Sequence, residues 1–411
     1  MRILKVLVAN RGEIAVRICR SAAELGWKTV ALYTEKDASH ASYADEAIFL
    51  DSPARYMDAQ HIADIARRTQ CTHIHPGYGF LSESSDLASL FSPSPAYDDI
   101  TFVGPSVETL KIASDKMLSR ELASSVGVPT ALGTRVSSVA DVHRFVKQFG
   151  RHPFPIVIKA LDGGGGRGIR LVNAIEGVEN AFQRCLGESP SKQIFVERAL
   201  VGPGWKHVEV QVVGDSEGNV THLWERECSV QRRFQKIVEM APSTLPRTTV
   251  ESLLDAALRM ARKLRYVGLG TFEFLVNSQL QEWVFLEINP RIQVEHTVTE
   301  EILSVDLVHV QLRLSIPGTF LADVLPEHAS SPTPPNGHAI QLRLVLIVPS
   351  GCPLALCVPR ISGGPREEAS VSTHGFLPDL THMIRRSSGP SELTLILYLQ
   401  RSSCMERVLV K

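Results

Sequence analysis

At 411 residues, with 44% hydrophobic and 21% charged residues, the chain is long enough for two or three domains around substantial cores, which excludes a small disulfide-stapled scaffold. Lys and Arg number 43 against 44 Asp and Glu, a net charge of −1, so no overall field recruits nucleic acid or an anionic membrane, and any anion specificity is local. The seven cysteines are scattered and lie in no C-x-x-C or Cys/His ligand spacing, which reads as buried or surface thiols in a reducing compartment.

No apolar run reaches the roughly 20 residues of a membrane helix. Met1 leads almost directly into an apolar strand instead of a signal or transit segment, so a cytoplasmic protein without membrane or nucleic-acid partners is expected.

Residues 3–8 (ILKVLV) form an apolar run, a polar turn follows at Asn10–Glu13, and residues 14–25 space apolar positions helically before Gly26. A second run at 28–33 completes a βαβ unit. Runs at 71–75 and 100–103, with a helical segment at 58–69, extend the alternation and predict a parallel α/β domain over 1–130. Ser114 is the expected N-cap of a helix over 116–125 that stops at Gly127 and Pro129. Residues 131–204 then carry a helix near 139–149 and strands at 155–160, 168–172 and 193–197, with glycine-rich linkers that suggest a hinged lid. From 205 to 344 the pattern turns antiparallel, with strands at 207–212, 271–276 and 283–288 and an amphipathic helix at 250–264. Over 345–411 six prolines interrupt short apolar bursts, no element is assignable, and a divergent, disordered tail is expected.

The loudest local signal is Asp162–Gly168 (DGGGGRG), because successive glycines let backbone N–H groups close on phosphate oxygens. A dinucleotide-binding or P-loop motif needs a helix after the glycines, whereas here strand IVIKA leads to strand IRLV, a hairpin able to cover phosphates. Lys159 ends the first of these strands, and Lys116 occupies the first turn of a helix, where a cation opposes the helix dipole. With the glycine hairpin, the two lysines suggest cations aimed at a polyphosphate. Period two puts His207, Glu209 and Gln211 on one strand face, which by itself is equally an ordinary solvated face.

Counting back from the turn between the strands at 271–276 and 283–288, Glu273 falls within about one residue of facing Glu287, with Asn289 on the same side. Facing carboxylates amid Phe272, Phe274, Trp283 and Phe285 are tolerable around a hard divalent cation that bridges to phosphates. If the next segment is extended, Arg291, Gln293 and Glu295 point to one side and suit a small planar oxyanion, with Arg as fork donor and Glu as general base.

The stretches ANRGEIAVRI, HPGYGFLSE, IVIKALDGGGGRGIRLV, HVEVQV, ERECSVQRRFQK, GTFEFL and FLEINPRIQVEHTVTE resemble the biotin carboxylase component of biotin-dependent carboxylases, an ATP-grasp ligase, over residues 1 to about 344. The resemblance implies an N-terminal α/β domain, an ATP-grasp lid and an antiparallel core. It also implies that ATP activates bicarbonate as carboxyphosphate, whose carboxyl group passes to biotin on a separate carrier protein or domain, forming carboxybiotin, ADP and phosphate. The implied partners are that carrier and a carboxyltransferase, with a homodimer as the assembly.

By the same resemblance, Lys116, Lys159, Gly165, Gly166, Glu197, Arg198, Ala199, Leu200, His207, Gln231 and Phe234 correspond to nucleotide contacts. Glu273, Glu287 and Asn289 correspond to Mg²⁺ or Mn²⁺ ligands. Lys236, Arg291, Gln293, Val294 and Glu295 correspond to the bicarbonate site, Glu295 being the base, and Arg343 to the arginine that binds bicarbonate and stabilises the biotin enolate.

Two departures stand out. Phe234 replaces a common His, and after Arg343-Leu344 the family's Asn-Ala-Glu-Asp-like segment and its Tyr-Asp-Ser motif are absent, which implies impaired activity. The alternatives are another ATP-grasp carboxylate-amine ligase, disfavoured by Arg291, Gln293 and Glu295, and a catalytically impaired paralogue that binds nucleotide as a structural subunit of a carboxylase complex.

Overall fold

The computed structural model describes residues 3–92, 97, 99–150, 153–161, 168–202, 204–232, 235–329, 332–345, 393–401 and 404–410. The first sheet contains β1 (Lys5–Val8), β2 (Lys28–Tyr33), β3 (Glu46–Phe49), β4 (His73–His75) and β5 (Thr101–Phe102), in the order β3-β2-β1-β4-β5. Every pairing in it is parallel, as the alternation of strands and helices predicts. Its inner strands are apolar on both faces because helices cover both. α1 (Gly12–Glu24) buries Ile14, Ala15, Ile18, Cys19 and Ala22, and α2 (Ala59–Arg68) buries Ile62, Ala63, Ile65 and Ala66. α3 (Ser85–Leu90) follows β4. β3 lies outside the sequence reading because its four residues are largely exposed at the sheet edge and show no apolar run.

α4 (Val107–Ser114) and α5 (Lys116–Ser125) correct the predicted cap. Ser114 closes α4, and Asp115 caps α5, accepting from Met117 N at 2.7 Å and Leu118 N at 3.1 Å. A carboxylate there satisfies two amides and offsets the unfavourable placement of Lys116 in the first turn. Ala113, Ala123 and Val128 from this region share an apolar cluster with Val208, Phe272 and Phe285 of the later sheet.

The next unit is a four-stranded antiparallel sheet, β6 (Gly133–Val136), β7 (Ile156–Ala160), β8 (Ile169–Val172) and β9 (Ile194–Arg198), ordered β6-β9-β7-β8. α6 (Val139–Lys147) and α7 (Val178–Glu188) pack on it around Val142, Phe145, Ile156, Ile158, Phe182 and Val196. The strand-to-strand passage across the glycine run is an antiparallel hairpin that pairs Lys159 with Ile169. Residues 162–167, which include four consecutive glycines of the run, lie outside the described residues.

The largest sheet is ordered β14-β13-β10-β11-β12-β15-β16-β17. Its strands are β10 (Trp205–Gly214), β11 (Val220–Arg232), β12 (Gln235–Ala241), β13 (Gly268–Asn277), β14 (Glu282–Asn289), β15 (His338–Val345), β16 (Leu393–Arg401) and β17 (Cys404–Val410). The last two strands fall in the segment for which the sequence offers no element; β16 runs parallel to β15 and antiparallel to β17. The remaining residues after 345 lie outside the described set. α8 (Arg247–Leu264) covers one face with Val250, Leu253, Ala257 and Met260. α9 (His296–Leu303), α10 (Leu307–Leu314) and α11 (Leu321–Val324) follow β14.

A second apolar cluster joins Val6, Ile14 and Ile18 of the first domain to Leu269, Leu307, Val308 and Leu312. Arg17 crosses the same junction to Glu300 at 2.8 Å and Asp306 at 2.9 Å, so the first domain is fixed to the core by apolar and ionic contacts together. Among the described residues no helix is long and apolar enough to cross a membrane.

Gly214 ends β10 opposite Gly268, where an added Cβ collides with the backbone carbonyl oxygen of Tyr266. Because that partner is backbone, Gly214→Ala is expected to destabilise the protein by about 1–3 kcal/mol or more. Chemical denaturation checks this, and an unchanged midpoint would mean that the Tyr266 turn relaxes freely.

Candidate active site

The core sheet lines up four charged residues across adjacent strands. Register pairs Glu209 of β10 with Arg226 of β11 on one side and Glu273 of β13 on the other, and Glu273 pairs in turn with Glu287 of β14. The carboxylates expected to face each other are therefore direct cross-strand partners. Like charges at roughly 5 Å repel by about 3 kcal/mol at an effective dielectric near 20, so three in a row require cations.

Two are built in. Arg226 is fully buried and donates to Glu209 Oε1 at 2.5 Å, Gln211 Oε1 at 2.8 Å, Thr299 Oγ1 at 2.9 Å and Thr271 Oγ1 at 3.1 Å. Lys236 of β12 reaches across the sheet to ion-pair with Glu209, with Glu273 at 3.1 Å and with Glu295 at 3.5 Å. Burial opposes its charge, but these three carboxylates hold Lys236 protonated well above the usual lysine range.

Glu273 is likewise driven far below the usual carboxylate range, because Lys236 and His207 outweigh its burial. His207 Nε2 lies 2.6 Å from Glu273 Oε2, its Nδ1 lies 2.7 Å from the Gln231 amide, and Glu273 raises its pKa against burial. Glu287, at the outer end of the row, is pushed upward by burial and by Glu273, with Lys116 and Lys159 acting in the opposite sense.

This imbalance favours a metal at the outer end of the row. Glu287 lacks the compensation that Glu209 and Glu273 receive, and Asn289, which donates to Glu273 Oε1 at 2.9 Å, offers an amide oxygen beside it. Glu273, Glu287 and Asn289 thus suit a hard divalent cation. His207, Glu209 and Glu273 also converge, with ligand atoms within 4.8 Å of one another, but Lys236 stands on two of them.

The segment after β14 corrects the expected extended conformation. Arg291 N bonds back to Asn289 O at 2.9 Å and His296 N to Gln293 O at 3.2 Å, so residues 290–295 turn into α9 with Glu295 at its N-cap. The turn still gathers the charged members. Glu295 meets Lys236 and Arg343, while Arg291 donates to Glu83 Oε1 at 2.6 Å and Asn289 Oδ1 at 3.2 Å. Gln293 is buried with no partner for its Nε2 among the described residues, and Val294 is half-buried in the turn. Against its burial, Lys236, Arg343 and Arg226 hold Glu295 down at about 2.

In the four-stranded unit, Lys159 ion-pairs with Glu197, and Arg120 approaches the same carboxylate at 3.7 Å. Arg198 is exposed, Ala199 buried and Leu200 half-buried at the end of β9, where Arg198 N donates to Leu132 O and Ala199 N to Pro155 O. Gly165, Gly166 and Phe234 fall outside the described residues. The sequence reading does not reach Glu83, Arg226 or Glu239 as site members, and leaves Glu209 on a solvated face. The alternation on β10 places Glu209 beside His207, but only the register with β11 and β13 exposes its role.

Opposite thermal shifts are expected from two substitutions in the row. Glu287→Gln removes a carboxylate that burial and Glu273 disfavour, and should leave the melting temperature unchanged or higher while weakening Mg²⁺ binding measured by calorimetry. Lys236→Met strands three carboxylates and should cost about 3–5 kcal/mol. If Glu287→Gln unfolds the protein, the row is structural and the metal assignment falls.

The sequence matches the family described as biotin carboxylase, N-terminal domain, over residues 2–110, and that described as carbamoyl-phosphate synthase L chain, ATP binding domain, over 115–322. Pyruvate carboxylase of Bacillus subtilis is 44% identical over 75% of this chain and 27% of its own length, and the mitochondrial pyruvate carboxylase of Mus musculus is 41% identical over 83% and 29%. The chain therefore spans under a third of the curated relatives it matches. Among solved structures, the biotin carboxylase domain of Hydrogenobacter thermophilus 2-oxoglutarate carboxylase, in complex with MgADP, ADP and bicarbonate, is 38% identical with a TM-score of 0.74, covering 83% of this chain and 74% of that one. Campylobacter jejuni biotin carboxylase, in complex with a β,γ-ATP ligand, is 34% identical with a TM-score of 0.74 over 82% and 75%. Identity of this level across both matched domains, joined to the charge row and the glycine hairpin, means that the chain belongs to the biotin carboxylase family.

Proposed function

We propose that the chain uses ATP and bicarbonate to carboxylate biotin presented on a separate carrier, by way of carboxyphosphate. The observation that carries this reading is the position of Lys236, which ties the carboxylate row suited to a metal to Glu295 and thereby brings the phosphate and bicarbonate ends of one reaction together.

A divalent cation on Glu273, Glu287 and Asn289 would neutralise phosphate oxygens and assist attack on the γ-phosphorus. Lys116 and Lys159 supply positive charge on the lid side, and the triphosphate would compete with Glu197 for Lys159. Arg291 presents a fork donor, Gln293 an unspent amide and Lys236 a fixed charge to a bicarbonate anion. In the free protein Glu295 is a weak base because two cations hold it. An anion that draws Lys236 and Arg343 to itself relaxes that hold, so substrate binding itself raises the basicity of Glu295.

Residues 131–204 serve in this proposal as a lid that closes over nucleotide and excludes water from carboxyphosphate, with 1–130 and 205–344 as the flanking domains. The biotin carrier and a carboxyltransferase are the partners it requires. A cytoplasmic location belongs to the proposal as well, although two relatives are named mitochondrial.

Glu295→Gln is expected to leave ATP binding nearly intact and to lower bicarbonate-dependent ATP turnover by ~10²-fold or more. Steady-state kinetics with free biotin, beside calorimetric ATP binding, decide this. Equal turnover in parent and variant removes Glu295 as the base, and nucleotide binding without any parental turnover points to a structural subunit.

A further inference from the structure

Arg343 is shared. Its Nη2 ion-pairs with Glu295 and lies 2.9 Å from Glu239 Oε1, so one guanidinium serves two buried carboxyls. Glu239 sits on β12 directly opposite Gln341 of β15, and Arg343 follows two residues along on the same face. Glu239 is fully buried, yet neither of its oxygens makes a hydrogen bond among the described residues. Gln341, its cross-strand neighbour, gives its amide oxygen to Thr297 Oγ1 at 2.6 Å and leaves its Nε2 unpartnered. Arg343 Nε and Glu295 Oε2 also make no hydrogen bond among the described residues. A buried carboxyl with no hydrogen bond costs folding free energy and calls for a role.

We infer that Glu239 is a positioning residue for Arg343: the two carboxyls compete for one guanidinium, and the share that Glu239 takes sets how strongly Arg343 restrains the base Glu295. This rests on the proposed carboxylation and adds to it a residue that the family resemblance does not supply. Burial pushes the Glu239 carboxyl up to about 8. The groups facing it are Arg343 from β15, Glu295 at the α9 N-cap, Glu209 from β10, Cys228 from β11 and Lys236 on its own strand. Near pH 7 Glu239 is largely protonated and holds Arg343 weakly, which leaves the arginine on Glu295. As pH rises through about 8, Glu239 ionises, draws Arg343 toward itself and frees the base.

The test compares the parent chain with Glu239→Gln and Glu239→Asp in bicarbonate-dependent ATP turnover with free biotin, between about pH 6 and pH 9.5. The parent should show kcat/KM for bicarbonate rising through about pH 8. Glu239→Gln should lose that limb and fall ~10-fold below the parent at the alkaline end, the effect of about one unit in the basicity of Glu295, with KM for ATP within about 2-fold. Glu239→Asp should recover the limb in part. An unchanged limb in Glu239→Gln, even with a lower melting temperature, overturns the inference and leaves the carboxylation reading intact. A parent with no turnover defeats the carboxylation reading instead. The inference is then decided by infrared difference spectra. A protonated-carboxyl band that titrates near pH 8 in the parent and is missing from Glu239→Gln supports the shared arginine, and its absence from the parent overturns it.

Discussion

Three carboxylates, Glu209, Glu273 and Glu287, stand side by side on adjacent strands, and the site follows from the need to keep them there. The sheet fixes their spacing, so they cannot move apart. Arg226 of β11 therefore stays buried against Glu209 of β10, and Lys236 spans from β12 to reach two of the three. Lys236 also reaches Glu295, which makes the charge balance of the metal side and of the base a single balance. In the proposed reaction a phosphate-bound cation at the Glu287 end and a bicarbonate at the Arg291 end would each shift that balance, which would couple the two substrates electrostatically.

The remaining architecture holds this row in place. The first domain is locked to the core through Ile14, Ile18, Leu307 and Val308 and through Arg17, and from that fixed position it delivers Glu83 to Arg291. The four-stranded unit has its own apolar cluster around Phe145, Ile158 and Phe182, and it carries Lys159 on β7. An independent core of this kind is what the proposed lid movement requires, since the unit could shift while the large sheet stays intact. Cysteines 19, 71, 185 and 228 are free and buried, in agreement with thiols rather than a disulfide framework.

Where side chains follow one simple period, the fold is legible from the residues. The near-continuous apolar runs of β1 and β2 announce a parallel sheet, and the short turn between β13 and β14 is enough to place Glu273 opposite Glu287. β11 escapes because Trp224 adopts a left-handed φ of 61° and two irregularities shift its register with β12, which destroys the alternation. Its buried Glu225, Arg226 and Glu227 also look like a surface stretch unless their partners on other strands are known. Residues 290–295 read as extended because Arg291, Gln293 and Glu295 alternate, whereas backbone bonds from Arg291 and His296 fold them into a turn. Glu239 and Glu83 are hidden for another reason: each matters only through one arginine far away in sequence. β16 and β17 complete the sheet edge from a segment whose prolines and broken pattern gave no element in isolation.

The most direct measurement of the central claim follows an oxygen atom. If bicarbonate attacks the γ-phosphorus and carboxyphosphate then releases its carboxyl group, one bicarbonate oxygen must leave with the phosphate. ATP turnover by the parent chain in ¹⁸O-labelled bicarbonate with free biotin should therefore yield inorganic phosphate carrying one labelled oxygen per turnover, by mass spectrometry. Phosphate released at the same rate without label would mean that water is the nucleophile, and would contradict bicarbonate activation at the Lys236 and Glu295 site.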